Sequence, residues 1–118
     1  MENKITKKIV NPFGLDKYLI GAKKHNLDPN GFHYYFRFPN GFGASIIQTN
    51  FSYGSQADGT WEMCLLCENN SGELKVCTDI NLIPQKLLGA FNGDYVTGYL
   101  SIKEVNALLN TIKDFFPD

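Results

Sequence analysis

The residues best equipped for chemistry in this chain are its three cysteines. Cys64 and Cys67 have C-x-x-C spacing, and Cys77 follows ten residues on. That spacing binds zinc when a tight turn brings both thiolates to one tetrahedral point, and it supports redox chemistry at a helix N-terminus. Here the pair falls in a stretch where Trp61, Met63, Leu65 and Cys67 alternate with Glu62, Cys64, Leu66 and Glu68. Residues three apart on a strand point to opposite faces. The spacing therefore predicts structural thiols without a disulfide, and neither a metal nor a cofactor is expected.

His25 and His33 are the only histidines. Acid–base or nucleophilic catalysis needs such a ring held by a carboxylate or poised on a serine. Neither histidine has such a partner at a revealing spacing, so the chain reads as non-enzymatic. Asp58 and Gly59 beside Ser55 have the composition of an ordinary turn. Gly41-Phe42-Gly43 lacks the third glycine of a dinucleotide fingerprint. Residues 40–47, NGFGASII, echo the RNA-recognition octamer, but Ala44 and Ile47 stand where stacking rings are needed. What remains are candidates for binding a partner. Tyr35 and Arg37 share a strand face, Tyr53, Gln56 and Asp58 lie in a polar loop, and Lys23 and Lys24 lie in a basic stretch. Tyr and Arg dominate interface energetics.

These residues must be positioned by two hairpins. Residues 32–38 and 42–50 flank Asn40-Gly41, the strongest short-range hairpin signal because both turn residues take positive φ. A two-residue loop there sets Phe38 opposite Gly43, Arg37 opposite Ala44, Phe36 opposite Ser45 and Tyr34 opposite Ile47. Residues 61–68 and 73–80 alternate on either side of Asn69-Asn70-Ser71-Gly72. With Ser71-Gly72 as the loop, Glu68 faces Lys75, Cys64 faces Asp79 and Cys77 faces Leu66, which avoids opposed like charges. Pro84 opens a short helical turn ended by Asn92-Gly93-Asp94. Ser101 and Glu104 spell a capping box, stapled by Leu100 and Val105. Ile102, Val105, Leu108, Leu109, Ile112, Phe115 and Phe116 then form the apolar stripe of a helix that Pro117 stops, with Lys103, Asn106, Asn110 and Lys113 outside. Leu15, Leu19 and Ala22 predict a further short helix over 15–24. The expected fold is α+β: a small antiparallel sheet of about four strands, a C-terminal helix on one face and a short N-terminal helix. The expected organisation is a basic segment over 1–31 followed by one domain over 32–118.

Composition bounds what such a domain does. The chain has 118 residues, 43% apolar and only 19% charged, enough for one core without disulfide or metal staples. Seven Lys and Arg face three acids over 1–37, whereas four Lys face nine acids over 38–118. That balance argues against a protein that coats nucleic acid. No apolar run suits a signal peptide or a membrane span, and three cysteines suit a reducing compartment, so a cytoplasmic protein is expected. Of its sixteen aromatic residues, Phe13, Tyr18, Tyr35, Tyr53, Phe91 and Tyr95 fit no periodicity. The open question is whether those few form a binding face.

Phe38-Pro39-Asn40-Gly41-Phe42-Gly43-Ala44-Ser45, Ser52-Tyr53-Gly54, Glu62, Gly98-Tyr99-Leu100-Ser101 and Glu104-Val105 resemble a loose family of short bacteriophage and prophage proteins of unknown function. The resemblance spans about residues 36–109 and carries no functional residue with it. It implies phage biology in a bacterial host cell. The expected function is non-catalytic binding of a host protein or ribonucleoprotein, with inhibition of a defence system such as a CRISPR nuclease as the specific case. The alternative is nucleic-acid binding through the basic N-terminal segment and the strand aromatics. A homodimer is compatible with both, since an aromatic edge strand invites self-pairing.

Overall fold

A computed structural model describes residues 9–24, 31–49 and 59–116. Its described residues form one antiparallel sheet of six strands with two helices. The strands are β1 (Leu19–Lys24), β2 (Phe32–Arg37), β3 (Phe42–Gln48), β4 (Trp61–Glu68), β5 (Leu74–Val76) and β6 (Val96–Leu100), and the helices are α1 (Gln85–Ala90) and α2 (Ile102–Lys113). β1, β2, β3 and β4 follow one another across the sheet. β5 and β6 share the far edge of β4, at its C-terminal and N-terminal ends respectively. The α+β architecture and the C-terminal helix match the expectation from sequence; the sheet is larger than expected, and the N-terminal helix is absent.

Where a helix was expected over 15–24, a single 3-10 turn (Asp16–Tyr18) leads into β1. Leu15 takes φ +58°, a left-handed conformation that breaks helical continuity. The strand wins because β2 would otherwise present unpaired backbone groups along that side. β1 pairs with it from Leu19↔Phe36 to Lys24↔Phe32, with a bulge at Ile20.

Both hairpins are shifted by one residue from the expected register, for the same reason. Phe38 N–H donates to Phe42 O at 2.8 Å and Gly41 N–H to Phe38 O at 3.3 Å. The loop is therefore Pro39-Asn40-Gly41, with Gly41 alone at positive φ (+87°). Asn69 N–H to Glu73 O at 2.8 Å and Gly72 N–H to Asn69 O at 3.0 Å repeat the pattern around Asn70-Ser71-Gly72, with Gly72 at φ +81°. These are three-residue loops closed by a left-handed glycine. Tyr34 thus pairs with Ile46, Tyr35 with Ser45, Phe36 with Ala44 and Arg37 with Gly43. Leu66 pairs with Val76, Cys67 with Lys75 and Glu68 with Leu74. Glu68 is met by Arg37, two strands away, and not by Lys75.

One sheet face carries the core. Tyr34, Phe36, Ala44, Ile46, Met63 and Leu65 meet Val105, Leu109 and Ile112 of α2, with Leu87 and Phe91 at the side. Ser101 Oγ accepts from Glu104 N–H at 3.1 Å while Glu104 Oε1 accepts from Ser101 N–H at 2.9 Å, so the capping box forms as expected. Leu100 and Val105 are both buried beside it. The apolar stripe is narrower than expected, because Ile102 and Phe116 are 45% and 80% exposed. Asn106, placed outside by periodicity, donates to Phe13 O at 2.7 Å. Phe13 itself is buried edge-on against Tyr34 and Trp61. Residues 9–24 therefore belong to the same sheet and core as the rest of the described chain.

Candidate binding face

The two helices pack on one face of the sheet. Strand alternation sends His33, Tyr35 and Arg37 of β2 to the opposite face, which is open among the described residues. Cross-strand pairing adds Gly21 and Lys23 of β1, Gly43, Ser45 and Ile47 of β3, and Glu62, Cys64 and Leu66 of β4. Leu74 and Val76 of β5 complete it. Leu66 is buried but stands apart from the main core cluster. It is covered from this side, where Leu74 reaches over Gly43. An added Cβ at Gly43 would sit 2.2 Å from Phe36 O and 2.8 Å from Leu74 Cδ2, so only glycine permits this approach.

A chain of hydrogen bonds crosses this face. The rings of His33 and Tyr35 stack with centroids 4.1 Å apart. Tyr35 Oη lies 3.0 Å from His33 Nδ1, and His33 Nε2 lies 2.6 Å from Ser45 Oγ. Lys23 Nζ stands 5.8 Å from the centre of the Tyr35 ring, a cation–π distance. Burial pushes the Tyr35 phenol above its ordinary value and keeps it protonated. The imidazole thus bridges the phenol and the hydroxyl, and these fixed polar groups stand beside apolar walls. Those walls are Ile20, Leu66, Leu74 and Val76, and with Lys75 they enclose a shallow cleft of about 320 Å³.

Of the residues marked by sequence, the structure brings Tyr35, Arg37 and Lys23 together on this face. Arg37 is engaged there by Glu68 and by Gly72 O at 3.0 Å. Lys24 alternates to the other side, opposite Phe32. Tyr53, Gln56, Asp58 and His25 lie outside the described residues. The sequence reading missed the contact of His33 with Ser45 and the apolar wall. In the register expected from sequence Ser45 would face Phe36 and point into the core, so only the observed register reveals the contact. Phe13 and Phe91, left open as binding aromatics, are buried in the core.

Cys64 and Cys67 point to opposite faces, as strand geometry requires. On the open face, burial first and then Glu62 and Asp94 push the Cys64 thiol up to about 11. Among the described residues no group of three or more His, Cys, Asp or Glu could hold a metal ion, and no helix is long and apolar enough to cross a membrane. No family model, no curated protein and no solved structure matches the chain.

Proposed function

We propose that this chain is a non-catalytic binding protein of a phage or mobile element that docks a host macromolecule on the open face of its sheet. The observation that carries the reading is the composition of that face. The Tyr35–His33–Ser45 hydrogen-bond chain holds its polar groups in place, beside Ile20 and Val76, which are 59% and 41% exposed. Preordered polar groups next to accessible apolar surface lose little entropy on binding. The resemblance of residues 36–109 to short phage proteins favours a host partner. A bacterial defence complex such as a CRISPR nuclease is the specific case.

Against nucleic acid stands the charge of the face, where Arg37 is paired with Glu68 and Glu62 adds a further acid. The test compares phage titre on defended and undefended hosts expressing the wild type or a Tyr35→Ala, Lys23→Glu double variant. Protection of phage by the wild type, lost in the variant while folding is retained, is expected. Equal titres with wild type and empty vector would overturn the defence reading. Retardation of single- or double-stranded probes at low salt, abolished by raised salt, would move the assignment to nucleic acid.

A further inference from the structure

Cys67 and Cys77 share the helix-bearing side of the sheet. β4 and β5 pair Cys67 with Lys75, and the ladder runs one step beyond β5, where Cys77 N–H donates to Leu65 O at 3.0 Å. Cys77 is therefore the diagonal neighbour of Cys67, a relation that sets Cα atoms about 7–8 Å apart in a regular sheet. Both thiols line one cleft of about 360 Å³, whose other walls include Leu82 and Ile83. Cys67 is half-buried and Cys77 buried. Burial first, and then the neighbouring Cys67 thiol, hold Cys77 protonated. Cys64 faces the opposite side of the sheet and serves as an internal control.

We propose that Cys67 and Cys77 are an oxidisable dithiol, which hydrogen peroxide converts to an intramolecular disulfide pinning β4 to the segment that leaves β5. Cys67, the more accessible thiol, attacks peroxide as the thiolate. An S–O bond forms, the O–O bond breaks, and the departing hydroxide is protonated to water, leaving a sulfenic acid. Cys77 then gives up its proton and attacks the Cys67 sulfur. The S–S bond forms, the S–O bond breaks, and the second hydroxide leaves as water with that proton. Two thiols have lost two electrons and two protons, and one peroxide has become two waters. A disulfide wants Cα atoms within about 7 Å, so the chain at Cys77 must close in by about an ångström. It follows a three-residue edge strand whose outer side pairs with no described strand, so little of the sheet has to move.

The full chain is treated with a small excess of hydrogen peroxide, blocked with N-ethylmaleimide in denaturant and weighed. The oxidised monomer is expected to carry one maleimide adduct where the untreated chain carries three, and to gain the mass of two hydrogens with dithiothreitol. Trypsin, cutting after Lys75, then leaves the peptide holding Cys64 and Cys67 joined to the one holding Cys77. Cys64→Ser keeps the joined peptides and Cys67→Ser abolishes them. Oxygen addition without a link, disulfide-linked dimers, or a link that survives Cys67→Ser would each overturn the proposal. The wild-type measurement decides the matter even where a variant folds poorly.

Discussion

The Cys64 thiol couples a single side chain to the stability of the whole molecule. An exposed thiol titrates near 9.0, and burial with the Glu62 and Asp94 carboxylates moves the folded one up to about 11. The folded state therefore keeps a proton that the unfolded state releases. The stability this confers is complete below the unfolded value and is lost as pH rises through the folded one. Urea unfolding should show the free energy falling between pH 9 and 11, and Cys64→Ser should make that fall shallower. Cys77, shifted in the same direction by its own burial and by Cys67, retains part of the slope. Identical slopes for variant and wild type would refute the assignment.

At the scale of elements, the turn at 39–41 ties a hairpin to a helix. Asn40 Nδ2 donates to Ile112 O and Phe115 O, both at 2.7 Å, while its Oδ1 accepts from Phe42 N–H at 3.1 Å. Ile112 O also accepts from Phe115 N–H at 3.2 Å, so Asn40 clasps the turn in which the chain leaves α2. Asn40→Ala should cost about 1–2 kcal/mol, read as a lower urea midpoint with the m-value unchanged. An unchanged midpoint would show that solvent replaces these bonds at no cost. The same turn explains what was legible from sequence. Asn40-Gly41 and Ser71-Gly72 announce hairpins, but two- and three-residue loops both end on a glycine at positive φ, so residue types do not count the loop. One residue of error moves every side chain to the opposite face, which hid the His33–Ser45 contact and the shared side of Cys67 and Cys77. The capping box at Ser101 and Glu104 was legible because its two bonds depend on neighbours three residues apart. β1 was not, since its strand conformation is imposed by the edge of β2 rather than by its own helical spacing.

For the whole molecule, Phe13 closes one end of the core. It packs edge-on to Trp61 and Tyr34 with centroids 4.9 and 5.3 Å away, Tyr34 Oη donates to Val10 O at 2.7 Å, and Asn106 holds the Phe13 carbonyl. Phe13→Ala should cost about 3–5 kcal/mol, a large share of a small domain's total stability. Thermal unfolding followed by Trp61 fluorescence reads both the loss and the changed ring environment. A loss below about 1 kcal/mol would show that the N-terminal stretch merely lies against the core. The bond from Asn106 to Phe13 spans 93 positions, whereas β1 to β4 pair as successive neighbours. On the ribosome, where the chain emerges from its N-terminus, the meander can zip as it appears. The Phe13 carbonyl, however, has no Asn106 to hold it until α2 has been made. An early aromatic thus packs on the meander first, and its end of the core is completed only when α2 follows.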